Sequence, residues 1–227
     1  MDFLLLGPLD VRDGERVVAL SRKKQRAVLA LLLLRAGEVV SADVLVEELW
    51  GSRPPKTARE ALHNYVSQLR KELGAELIET HEPGYVLHVG PDQLDLARFE
   101  RLVAEARAAD SAERRAAKLR AAVELWRGPA LADLAYEPFA AAESQRLDEL
   151  RLVAREDLVD AELELGRAAT LVPDLEGLVD EHPFRERLRG QLMLALYRAG
   201  RQGDALDAYR AARRALVDEL GIEPGAQ

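Results

Sequence analysis

The chain of 227 residues has no cysteine and only 5% aromatic residues. Without cysteine there can be no disulfide, no thiolate metal site and no cysteine nucleophile, which fits a reducing cytoplasm. No run of 18 apolar residues occurs, and Met1 and Asp2 put no basic lead before residues 3–6, so neither a membrane span nor a secretory signal is expected. The phosphate-cradling pattern Gly-x-x-x-x-Gly-Lys-Ser/Thr is missing, which excludes a P-loop ATPase. None of His63, His81, His88 and His182 has a His or Cys partner at zinc spacing. Ser52, Ser67 and Ser111 lack a nucleophile-elbow context, and the pairs Glu47 with Glu48 and Asp180 with Glu181 read as solvated helix faces. No catalytic residue, metal site or cofactor is expected, and the chain does not read as an enzyme.

The formal charge of −8 argues at first against nucleic acid. That charge is unevenly spread. Gly90 and Pro91 mark the best break, with a mixed, turn-rich segment before them and an almost wholly helical pattern after. Residues 1–90 carry 12 Lys and Arg against 13 Asp and Glu, whereas residues 91–227 carry 20 against 27. In the first segment Arg22, Lys23, Lys24 and Arg26 form one basic run, and Arg53, Lys56, Arg59, Arg70 and Lys71 fall in another. Such a run at the start of a helix opposes the helix dipole, by roughly 0.3 to 1 kcal/mol per exposed charge. It reads either as phosphate contact, Lys24 included, or as plain solvation.

Residues 3–6, 9–11 and 17–20 are short apolar or alternating runs divided by turn residues, the pattern of small antiparallel strands. Ser21 precedes a helix that stops at Ala36 and Gly37, and a second helix starts at Ser41 and runs to Trp50 and Gly51. A third spans 57–73. Its Thr57 and Glu60 match a capping box, and Leu62, Val66, Leu69 and Leu73 form a buried stripe at 3.6-residue spacing. Residues 77–80 and 85–89 then flank His81, Glu82, Pro83 and Gly84 as a hairpin. Strands, three helices and a hairpin make the plan of a winged helix-turn-helix.

The polar face of helix 57–73 presents Arg59, His63, Asn64, Ser67, Gln68, Arg70 and Lys71. Its chemistry suits a DNA major groove: Asn64 and Gln68 can pair bidentately with adenine, His63 and Ser67 can bond base edges, and the cations reach phosphate or guanine. The same face is also what an ordinary solvated helix would show. Tyr85 or His81 at a wing tip could reach backbone phosphate or the minor groove, while a tyrosine after Pro-Gly serves just as often as a turn anchor.

From Asp95 onward the pattern predicts consecutive amphipathic helices at 95–109, 112–127, 139–165, 168–181, 185–199 and 201–220. Gly166 and Arg167 recur as Gly200 and Arg201, an offset of 34 that also aligns Leu158 with Leu192, Leu163 with Tyr197, Leu175 with Tyr209 and Leu178 with Ala212. That period is the tetratricopeptide length, and stacked helix pairs of this kind leave a surface for a partner. A helical bundle with no partner of its own fits the pattern too. The expected fold is mainly α: an N-terminal α+β winged helix-turn-helix followed by an all-α tetratricopeptide-like domain.

These motifs carry a resemblance. The strand order, helix 22–36, the run 45–51, the run 66–73 and Pro83-Gly84-Tyr85 resemble an OmpR-type DNA-binding domain, and more narrowly the SARP family (Streptomyces antibiotic regulatory proteins). Residues 94–99, 125–131, 137–139 and 191–202, with 219–225, resemble the bacterial transcriptional activator domain. The resemblance implies that 1–90 is the DNA-binding domain and 91–227 the activator domain. It implies that helix 57–73 is the recognition helix, that wing 77–89 contacts the DNA backbone, and that the loop 51–56 faces RNA polymerase, with Lys56 at its end a candidate DNA contact. It further implies a cytoplasmic activator that pairs as a homodimer on direct repeats of double-stranded promoter DNA. Such an activator recruits RNA polymerase holoenzyme with its sigma factor, for a secondary-metabolite or related gene cluster. Two other readings stand beside it: a protein-interaction adaptor, and an N-terminal piece of a larger sensory regulator.

Overall fold

A computed structural model describes residues 1–222; the final Glu223, Pro224 and Gly225 of the activator-domain resemblance lie outside the described residues. The chain divides into two compact units, Met1–Leu102 with Ala122–Arg151, and Val103–Ala121 with Leu152–Gln227.

The first unit opens with strands β1 (Asp2–Leu4), β2 (Asp10–Asp13) and β3 (Arg16–Val17), antiparallel in the order β1-β2-β3. Helix α1 (Lys23–Leu34) follows. It is buried all round from Ala27 to Leu33, as its nearly unbroken apolar sequence requires, rather than along one stripe. Ser21 does not cap it: the helix begins one residue later, after Arg22, with no side-chain cap. Strand β4 (Val40–Ser41) leads into α2 (Ala42–Trp50), where the Ser41 hydroxyl accepts the Val44 amide proton at 3.2 Å.

Helix α3 (Ala58–Leu73) is held by the expected stripe, since Leu62, Val66, Leu69 and Leu73 are all buried. Burying such a side chain stabilises by about 1.5–3 kcal/mol. The capping box at its start does not form. Thr57 lies at φ −93°, ψ 13°, and its side chain makes no cap bond. A turn in which the Ala58 amide donates to the Pro55 carbonyl at 2.9 Å holds Thr57 away from the extended backbone that a capping side chain needs. Strands β5 (Ile78–His81) and β6 (Gly84–Leu87) form the wing, and β6 also pairs with β4, giving the order β4-β6-β5. Gly84 faces Ser41 across that pairing, and a Cβ there would lie 1.9 Å from the Val40 carbonyl oxygen. Only glycine allows the two strands so close.

The helices after Gly90 follow the predicted spans closely: α4 (Asp95–Arg107), α5 (Ala112–Glu124), α6 (Ala140–Glu164), α7 (Ala168–Glu181), α8 (Glu186–Arg198) and α9 (Gln202–Ala215), with a wider final turn at Leu216–Leu220. In the second unit the 34-residue repeat holds at the level of single backbone bonds. Gly166 (φ +74°) donates to the Leu163 carbonyl and Arg167 to that of Glu162; Gly200 (φ +79°) donates to Tyr197 and Arg201 to Leu196. These are two copies of one glycine-terminated helix end. The core between them joins Leu163, Val172 and Leu175 to Leu188, Leu192, Ala195 and Leu196. Among the described residues no helix is long and apolar enough to cross a membrane.

Candidate nucleic-acid interface

Helix geometry places Glu60, Asn64, Ser67 and Lys71 in one row diametrically opposite the buried stripe of α3, with His63 on one flank and Gln68 on the other. His63, Asn64 and Lys71 are exposed, and Ser67 and Gln68 are half-buried. No protein group bonds the side chains of His63, Asn64, Gln68 or Lys71 among the described residues. A row of donors and acceptors of this width, standing clear of the rest of the unit, is what a helix in a major groove presents to base edges. Glu60, freed of the capping role expected for it, is exposed near the start of the same face.

The other expected contacts divide by what already holds them. Arg70 donates from Nε to the Ile78 carbonyl at 2.8 Å and from its terminal nitrogen to the Thr80 hydroxyl at 2.8 Å, which fastens α3 to strand β5 of the wing. Arg59 pairs with Asp43 of α2, both largely exposed. A pair so exposed contributes little and can be exchanged for a phosphate. Lys56 is exposed in the turn before α3. Tyr85 is only 8% exposed and pairs with Val40 across β6 and β4, so the anchoring role weighed for it is the one it occupies; the wing tip is formed by His81, Glu82 and Pro83.

Lys24 departs furthest from the expectation of phosphate contact. Its ammonium donates to Glu137 at 2.7 Å and to the Leu49 carbonyl, and lies 5.5 Å from the centre of the Trp50 ring. Arg26 is likewise held by Asp133 at 2.5 Å and the Leu9 carbonyl. Half of the basic run at 22–26 therefore binds carboxylates of the segment between α5 and α6, and only Arg22 and Lys23 stand exposed. The local sequence gave no sign of this, because the partners lie more than 100 residues away.

A third carboxylate was missed for the same reason. Asp95 is 1% exposed, and its oxygens accept the amide protons of Leu5 at 2.7 Å and Leu6 at 3.0 Å, with the Arg127 guanidinium 3.9 Å away. Burial raises its pKa above the usual carboxylate value, against the opposing pull of the two amides and Arg127. Asp95, Asp133 and Glu137 thus tie residues beyond Gly90 to the strands and first helix of the same compact unit. A weak signal existed in Asp95, a charge placed where the amphipathic pattern of α4 turns inward.

A three-helix core with a β-hairpin wing and an open polar helix face, followed by helical repeats, defines a class of bacterial transcription regulators. The comparisons place the chain within it. Residues 15–87 match the family described as "Transcriptional regulatory protein, C terminal", and residues 94–227 match "Bacterial transcriptional activator domain". The chain belongs to the SARP family of transcriptional activators. It is 39% identical over 241 residues to the regulatory protein DnrI of Streptomyces peucetius, covering all of this chain and 89% of that protein. It is 42% identical over 241 residues to the transcriptional regulatory protein EmbR of Mycobacterium tuberculosis, covering 99% of this chain but only 60% of EmbR. The structure of M. tuberculosis EmbR in complex with a low-affinity phosphopeptide matches 99% of this chain and 62% of that one, at 40% identity and a TM-score of 0.93.

Proposed function

We propose that the chain is a sequence-specific activator that places α3 in the major groove of double-stranded promoter DNA. Asn64, Gln68, His63 and Ser67 read base edges, and Lys71, Lys56 and Arg59 meet phosphate. Arg70 acts one step removed, holding the wing at a fixed angle to the reading helix. The observation that carries the reading is the row Asn64, Ser67 and Lys71, exposed to half-exposed and opposite the buried stripe of α3. Residues 1–90 act as the DNA-binding domain and 91–227 as the activator domain, protomers pair on adjacent repeats, and the complex recruits RNA polymerase holoenzyme with its sigma factor in the cytoplasm. A secondary-metabolite or related gene cluster is the expected target.

The acidic total is no obstacle to this, because affinity for DNA depends on cations placed against phosphate rather than on whole-chain charge. The test is a gel shift of the purified chain with DNA from its own upstream region at physiological salt, followed by run-off transcription with holoenzyme. Specific retardation with increased transcript supports the reading. Retardation without added transcript separates DNA binding from activation, and no retardation returns the chain to the adaptor reading.

A further inference from the structure

Glu60 stands in the outer row of α3 with no bonding partner in the fold. It is the third residue of the helix, exposed, and one turn before Asn64 on the same side. Thr57 makes no side-chain cap bond, and among the described residues no protein group bonds the Glu60 carboxylate. The positive end of the helix favours a negative charge there, so the free chain holds the group at little cost. In a major groove the same group lies between two rows of phosphates, where an unpaired carboxylate is repelled. It is compatible with binding only where a base offers it a proton.

An ionised carboxylate accepts hydrogen bonds and cannot donate them. Of the groups on the major-groove edges only cytosine N4 and adenine N6 donate, whereas guanine N7 and O6 and thymine O4 accept and oppose it. Adenine sets its N7 acceptor beside N6, so the second carboxylate oxygen meets a lone pair there. Cytosine has no acceptor beside N4 in the groove and is the base that a carboxylate pairs best. The amides of Asn64 and Gln68 hold both a donor and an acceptor and suit adenine, so Glu60 adds a chemistry that these two lack. Lys56 and Arg59, both exposed, bring positive charge to the same end of α3 and offset the repulsion between Glu60 and the DNA backbone.

We propose that Glu60 is a specificity residue that accepts from cytosine N4 and rejects guanine and thymine at the same position. This rests on α3 lying in the major groove. Four residues advance a helix by about 6 Å along its axis, against about 3.4 Å per base pair. The cytosine therefore falls one or two base pairs from the adenine met by Asn64, toward the N-terminal end of α3. Recognition helices of this class meet base edges with their N-terminal residues, which is where Glu60 sits.

Selection of duplexes from a randomised pool by the full chain tests the proposal, with Glu60→Ala, Glu60→Gln and Asn64→Ala selected in parallel. The unsubstituted chain is expected to enrich cytosine at a fixed distance from adenine. A gel shift should then show it binding that cytosine at least about fivefold tighter than guanine in its place, a preference that Glu60→Ala loses while keeping the adenine. Glu60→Gln, whose amide donates as well as accepts, should move the preference at that position toward adenine. A role confined to the helix end would produce no such exchange. Glu60 is exposed, so the thermal melt of both variants should stay close to that of the unsubstituted chain. Cytosine enrichment that survives Glu60→Ala overturns the proposal, as does a loss of preference spread evenly over all positions. If Asn64→Ala still removes one preferred base in that case, the major-groove reading of α3 stands and only the role of Glu60 falls. If the unsubstituted chain enriches no sequence, both fall.

Discussion

Asp95 gives the sharpest test of how the first unit is held together. Replacing it with alanine leaves the amides of Leu5 and Leu6 buried without an acceptor. Each orphaned amide costs about 1–3 kcal/mol, so Asp95→Ala should destabilise the unit by about 2–6 kcal/mol. Asp95→Asn keeps one acceptor oxygen and should cost about half as much. Both tryptophans of the chain, Trp50 and Trp126, lie in the first unit, so tryptophan fluorescence during urea unfolding reports that unit and not the second. The midpoint of the tryptophan-detected transition should fall for both variants. The pH dependence has a definite sign. Because Asp95 has a raised pKa in the folded state, between 3.8 and that raised value the folded chain holds a proton that the unfolded chain has lost. Stability from this group therefore falls as pH rises through that window and is regained on acidification, and Asp95→Asn should abolish that component. An unshifted tryptophan transition in the alanine variant would refute the anchoring role.

Three further outcomes are expected. Gly84→Ala forces a Cβ against the Val40 carbonyl and should separate β4 from β6, lowering the tryptophan-detected stability by more than about 2 kcal/mol; an unchanged melt would contradict the close approach. Glu137→Gln removes the counterion of the half-buried Lys24 and should cost about 1–3 kcal/mol in urea unfolding, whereas Lys23→Ala, at an exposed position, should stay within about 0.5 kcal/mol. Arg70→Ala releases α3 from the wing and should weaken DNA binding on all sequences alike in a gel shift; loss of discrimination at a single base pair would instead assign Arg70 to direct reading.

What could be read from the sequence was what local pattern controls. The stripe from Leu62 to Leu73 fixed α3 and its buried side, the glycines at 166 and 200 fixed the repeat, and turn residues fixed the helix ends after Asp95 to within a few residues. What could not be read depended on partners distant along the chain. Lys24 and Arg26 carry the same charge whether they meet a phosphate or a carboxylate, and only the fold brings Glu137 and Asp133 to them. Tyr85 follows a turn in either role, and the pairing of β6 with β4 is what buries it. Thr57 and Glu60 have the spacing of a capping box, but the Pro55 turn sets the backbone before the side chain can act. The open face of α3 was legible residue by residue, although which of its cations were already engaged was not.

The central claim is that the outer row of α3 reads DNA. The most direct measurement is a gel-shift titration of the chain and its Asn64→Ala and Lys71→Ala variants on specific and random duplexes across a range of salt. Asn64→Ala should reduce discrimination between the duplexes by about 1–3 kcal/mol while leaving random-duplex affinity nearly unchanged. Lys71→Ala should weaken both equally and flatten the salt slope by about one unit. Unchanged discrimination in the first variant together with an unchanged salt slope in the second would contradict it.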